Sequence, residues 1–122
     1  MLRRDALTAT LVTREQRGVG HVLVIPVQHR ETILDVTDGE AAAMGRAIAD
    51  AARAVSRAFD PDGVSVWQAN GVRSSQSVPH VHVHVTGALP GGTGNPQTGT
   101  EWGSVPQLSV AETNAIADRL RG

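Results

Sequence analysis

The sequence predicts an α+β domain in which one long helix covers a face of an antiparallel sheet. Three observations predict it. Apolar stretches of strand character flank a single long helical stretch; that stretch has both a start signal and a stop signal; and a polar loop joins the last two strand-like segments as a hairpin connection does.

The elements follow in order. Ala6 to Thr13 is rich in Thr, Leu and Val and reads as a strand, and Arg14 to Gly20 is a polar turn closing on glycine. Gly20 to Val27 is a second strand. Thr37 followed by Glu40 three residues on forms a capping box, and Ala41, Met44, Ile48, Ala51, Ala52, Val55 and Phe59 recur at helical spacing. The helix should span Asp38 to Phe59, where Asp60-Pro61-Asp62-Gly63 stops it. Gly63 to Ala69 and Pro79 to Thr86 read as a third and a fourth strand, paired antiparallel. Gly87 to Gly103 is a Gly-, Pro- and Thr-rich loop without periodicity, and Glu112 to Leu120 is a short terminal helix with Ile116 and Leu120 on one face.

At 122 residues the chain should be one domain, and no internal repeat or second domain is visible. Apolar residues make up 40% and aromatics only 2%, so the core must be aliphatic. Eleven basic and twelve acidic residues leave a formal net charge of -1, which gives no field able to gather nucleic acid or an anionic membrane. There is no apolar run of spanning length, and Met1-Leu2-Arg3-Arg4 leads into no signal-peptide core, so a soluble, cytoplasmic protein is expected. The absence of cysteine excludes disulfides and thiol catalysis.

The chemistry concentrates in His80, His82 and His84, which alternate with Val81 and Val83 and precede Val85. Only five histidines occur in the chain, so three within five residues is a strong bias. On an extended strand the three imidazoles would share one face about 7 Å apart, with the valines on the other. Core packing supplies no reason for aligned imidazoles. A purification tag would sit at a terminus and would not alternate with valine. A metal platform stays open beside catalysis, although structural zinc sites usually add cysteine. The loop before the row, Gly71 to Pro79, is polar and rich in small residues, and Ser77 and Gln76 carry donors suited to an anion. Its spacing matches neither a Walker loop nor a dinucleotide fingerprint.

Gly20-His21-Val22-Leu23-Val24-Ile25-Pro26 and Gln76-Ser77-Val78-Pro79-His80-Val81-His82-Val83-His84-Val85, with a helical stretch between them, resemble the histidine triad (HIT) family of nucleotide hydrolases and transferases. The resemblance covers roughly Thr10 to Val85. It implies a HIT-like fold, a curved antiparallel sheet with one long helix, and a homodimer whose sheets join into one. It also implies site roles: His82 as the nucleophile that carries a nucleotidyl group, His84 as phosphate contact, His80 as tautomer support and His21 as proton-relay partner. Ser77 would lie near the leaving group and Gln76 in the phosphate loop. Imidazole suits this task because its unperturbed pKa of about 6.5 leaves a lone pair available near neutral pH.

Three departures from the family pattern stand out. Ala69 occupies the place of an expected Asn, with Asn70 beside the glycine taken as the substrate-binding amide instead; Thr13 stands where many members place a carboxylate for the ribose; and only twenty residues precede His21, where the family is expected to carry an extra hairpin. Leu11 could still line an apolar base pocket. The resulting expectation is a nucleotide hydrolase or nucleotidyl transferase acting at the α-phosphate of a purine nucleotide derivative, without a cofactor. The alternatives are a nucleotide-binding module with weak turnover and a histidine-based metalloenzyme. His29 is expected to be a surface residue, Trp67 a core residue, and Trp102 a cover for a nucleotide site.

Overall fold

The computed structural model describes residues 1–74, 76–88 and 107–122. Five strands, β1 (Arg3–Arg4), β2 (Thr8–Val12), β3 (Val19–Pro26), β4 (Val64–Trp67) and β5 (Val83–Gly87), form one antiparallel sheet in the order β1-β2-β3-β5-β4. Helix α1 (Asp38–Phe59) packs on one face against β3, β5 and β2, and α2 (Val110–Arg121) packs beside α1. The expected architecture is the one observed.

Helix α1 has the expected bounds because its start and stop are both local. The Thr37 hydroxyl accepts from the Glu40 amide and the Glu40 carboxylate accepts from the Thr37 amide, while Asp60 takes the left-handed conformation that ends the helix. Its buried stripe runs through Ala43, Met44, Ala47, Ala51 and Val55, whereas Ala41, expected inside, is exposed. In α2 a second capping box, Ser109 with Glu112, starts the helix two residues earlier than the periodicity suggests.

Alternation along the strands sets the two faces of the sheet. Val22, Val24, Val83 and Val85 point toward α1 and, with Met44, Ala47, Ala51, Val55 and Leu120, make an aliphatic core. Fully burying each of the valine, leucine and methionine side chains is worth roughly 1.5–3 kcal/mol. The intervening residues His21, Leu23, Ile25 and His84 are thereby sent to the opposite face. The C-terminal helix is latched to α1 by hydrogen bonds from Arg57 to the Leu120 carbonyl and from Arg119 to the Ala58 carbonyl. Ahead of α2, Leu108 exchanges hydrogen bonds with Arg14: its N–H donates to the Arg14 carbonyl, and Arg14 Nε donates to the Leu108 carbonyl, both at 2.8 Å.

Several boundaries differ from expectation. The first strand is shorter than Ala6 to Thr13, because the Asp5 carboxylate caps the Leu7 and Thr8 amides in a turn, and the edge strand β1 is additional. The third expected strand contracts to Val64–Trp67. The fourth begins at Val83 rather than Pro79, since Pro79 has no N–H and the Val81 N–H donates outside the sheet, to the Arg30 carbonyl at 2.7 Å. Of the expected Gly87–Gly103 loop, Gly87 belongs to β5, and nearly all the remainder, Trp102 included, lies outside the described residues.

Candidate active site

A cleft of about 330 Å³ opens on the sheet face opposite α1. All four implicated histidines line it: His21 from β3, His84 from β5, and His80 and His82 from the segment entering β5. Leu23 and Ile25 form an apolar wall, Ser77 and Val78 border the His80 side, and Thr13, Glu15 and Arg17 border the His21 side.

A β-bulge brings His21 into place. Between the pairs Val19↔Gly87 and Val22↔Val85, β3 holds one residue more than β5. Gly20 in the bulge has φ +68°, and a Cβ there would stand 3.0 Å from the Phe59 ring. Glycine is therefore favoured both by conformation and by space. Beyond the bulge the His21 ring is fully buried, and the main chain around it is held by Gln16, whose side chain accepts from the His21 N–H and donates to the His21 carbonyl.

Backbone groups then settle the tautomers in sequence. The Arg17 N–H donates to His21 Nδ1 at 3.1 Å, which favours the hydrogen of neutral His21 on Nε2, while the Glu15 backbone also bonds the ring and works toward protonation. That Nε2–H donates to His84 Nδ1 at 2.9 Å, which puts the hydrogen of neutral His84 on its Nε2. Independently, His82 Nδ1 donates to the His80 carbonyl at 2.9 Å and keeps its lone pair on Nε2, while His80 Nε2 donates to the Pro26 carbonyl at 3.1 Å. A carbonyl can only accept, so both assignments are forced.

The imidazoles thus share a cleft without forming the expected regular row on one strand. Of His80, His82 and His84, only His84 lies within a strand. His82 meets it edge to face, with ring centroids 5.0 Å apart and planes at 70°, and His80 meets the exposed ring of His29 the same way at 5.4 Å.

Electrostatics keep the inner pair uncharged. Burial pushes His21 down to about 4, helped by the nearby Arg17 guanidinium. Burial likewise pushes His84 down to about 3, helped by the adjacent His21, His82 and Arg17. At neutral pH the pair is a chain of neutral donors and acceptors.

Of the other expected site residues, Ser77 lines the cleft and three do not. Both amide hydrogens of Gln76 are committed, to the Glu31 and Val78 carbonyls, and its oxygen accepts from the Gly71 N–H, so it shapes the loop instead of facing the cleft. The Asn70 oxygen accepts from the Ile33 N–H and the Gln68 amide. Leu11 is half-buried on β2 opposite Leu23, which puts it on the cleft side of the sheet but not among the lining residues. Reading the sequence missed Glu15, Arg17 and the position of Trp67. Trp67 is buried as expected, yet it pairs in register with His84 and stacks on it, with centroids 4.4 Å apart and planes 4° apart. Counting back from His84 through the hairpin register would have found that neighbour. Among the described residues, no group of three or more His, Asp or Glu side chains is arranged to hold a metal ion.

Comparison with known proteins adds independent findings. The chain is 39% identical over 66 residues to Protein hit of Bacillus subtilis, a match spanning 54% of this chain and 46% of that protein. It is 30% identical over 82 residues to a bis(5'-nucleosyl)-tetraphosphatase of Schizosaccharomyces pombe, spanning 67% of this chain and 45% of that one. It is 29% identical over 119 residues to the adenosine 5'-monophosphoramidase hnt1 of the same yeast, spanning 98% and 84%. The chain thus spans less than half the length of the first two. Among solved structures, a HIT-like protein from Bartonella henselae superposes with a TM-score of 0.82 at 24% identity, covering 98% of this chain and 82% of that one, and shows the same fold. The HIT domain family model matches residues 1–90, and the chain belongs to the HIT domain family.

Proposed function

We propose that this protein is a nucleotide hydrolase or nucleotidyl transferase acting at the α-phosphate of a purine nucleotide derivative, either a phosphoramidate or a dinucleoside polyphosphate, through a covalent nucleotide on His82. The observation that carries the reading is the His82 Nδ1–H to His80 carbonyl bond, which leaves the lone pair on Nε2 in a ring that lines the cleft. The matching relatives named for phosphoramidase and tetraphosphatase activity support the substrate class.

In the first step His82 Nε2 attacks the α-phosphorus, a P–N bond forms, and the bond to the leaving amine or phosphate breaks with its electron pair. The positive charge this places on the His82 ring is stabilised through Nδ1–H by the His80 carbonyl. The His84 Nε2–H donates to a phosphate oxygen, and the Ser77 hydroxyl on the same cleft assists protonation of the leaving group. In the second step water attacks the phosphorus, the P–N bond breaks with its electron pair returning to His82 Nε2, the proton lost by the water replaces the one the Ser77 hydroxyl passed to the leaving group, and the nucleoside monophosphate leaves. Leu23 and Ile25 give the base an apolar surface.

We also propose a twofold dimer through β4, the edge strand opposite β1, where Val64 and Val66 are exposed. No helix among the described residues is long and apolar enough to cross a membrane.

The decisive experiment is an alkaline detergent quench, which preserves a histidine P–N bond, with α-phosphate-labelled adenosine phosphoramidate. Label should remain on the wild-type protein and be absent from His82→Ala. Full turnover by His82→Ala would exclude the mechanism, and tight adenosine monophosphate binding without turnover by the wild type would replace it with a binding module.

A further inference from the structure

Three sides of the His84 ring are occupied by protein. Its Nδ1 accepts from His21, its neighbour His82 meets it edge to face, and one ring face lies flat against the Trp67 indole. The indole is close to fully buried, stands opposite His84 in the β4–β5 register, and also touches the His21 ring at a centroid distance of 5.5 Å. It does not line the cleft. Its ring contacts include both buried histidines, His21 and His84.

The hydrogen bond from His21 fixes a direction in the plane of the His84 ring but does not itself set the tilt of that plane. A parallel aromatic surface removes this freedom, because tilting loses the stacked contact area and rotation about the ring axis loses the hydrogen bond. We propose that Trp67 is a positioning residue for His84: its indole fixes the plane in which His21 fixes the tautomer, so that the Nε2–H holds one direction. The kinetic consequence rests on the nucleotidyl reading above; the geometric one does not.

The indole also excludes water from one face of His84. The charged or titratable groups around that ring are His21 and Arg17 from β3 and the turn before it, and His82 from its own segment, with Glu15 at the same side of the cleft. All of the cationic ones disfavour a charged His84. Taking the indole away admits solvent, which favours the charged form.

Side-chain ¹⁵N spectra of the histidines in the wild type, Trp67→Phe and Trp67→Leu, each checked for a cooperative thermal transition, test the proposal. The wild type and Trp67→Phe should show His84 as a single Nε2–H tautomer, and Trp67→Leu should show mixed tautomers with proton affinity raised about tenfold or more. In turnover of adenosine phosphoramidate, Trp67→Leu should lose about 10- to 100-fold in kcat with KM within about threefold, and Trp67→Phe should recover most of the loss. If Trp67→Leu does not fold, Trp67→Met, which keeps bulk without a flat face, makes the same comparison. A folded Leu or Met variant with the wild-type tautomer and titration overturns the proposal, as does a Phe variant as impaired as the Leu variant. A wild type that forms no labelled His82 adduct removes the nucleotidyl reading, and the spectra still decide the role of Trp67.

Discussion

His21 Nε2 lies 2.9 Å from His84 Nδ1, and the Arg17 backbone N–H on the far side of His21 makes that contact directional. Replacing His21 by Phe keeps an aromatic ring but removes the donor, so His84 becomes free to place its hydrogen on either nitrogen. Steady-state kinetics should show kcat about 10- to 100-fold lower with KM little changed. An unchanged kcat would show that the relay plays no part in turnover.

The same pair makes folding sensitive to acid. His21 is held near 4 and His84 near 3 in the folded protein, against about 6.5 in an unfolded chain. As the pH falls below about 6.5 the unfolded state takes up these protons first, so stability is complete above that value and declines toward pH 4 and 3. Between pH 7.5 and 5 the expected loss is on the order of 2–4 kcal/mol. Urea midpoints for the wild type and His21→Phe at pH 7.5, 6 and 5 measure it, and the slope should be shallower in the variant.

Gly20→Ala should be destabilised by about 1–3 kcal/mol, from the positive φ and the approach to the Phe59 ring. Because the bulge also aims His21, activity should fall in the fraction that remains folded. Chemical denaturation and turnover at a temperature well below the transition separate these effects. A variant of wild-type stability would show that the bulge relaxes freely.

Val66 is about half exposed on β4, at the end of the sheet. Val66→Lys should convert a sedimenting dimer into a folded monomer, since a lysine on an edge strand opposes edge-to-edge pairing. Sedimentation of the wild type as a monomer would exclude this interface.

How much was legible in the sequence depended on the range of the interactions involved. Helix α1 was readable to the residue because Thr37, Glu40 and Asp60 determine its ends locally. The histidines were readable as a group, because few other uses explain three imidazoles in five residues. Their arrangement was not, because Val81 finds its partner in Arg30, 51 positions earlier, and no local pattern announces that bond. Gln76 and Asn70 look like ligand groups in a polar loop, yet their amides are used by Glu31, Val78, Ile33 and Gln68. Trp67 read correctly as buried, but which ring it covers depends on the register between two strands.

The two-way hydrogen bonding of Arg14 with Leu108 ties the approach to α2 to the turn that carries Glu15 and Arg17. A ligand that restrains this turn from the cleft therefore also restrains the segment from which the C-terminal helix starts. By thermodynamic reciprocity, loosening that helix should weaken nucleotide affinity by the same factor by which bound nucleotide protects it. Amide exchange in α2 would then report occupancy of a cleft on the opposite face of the sheet.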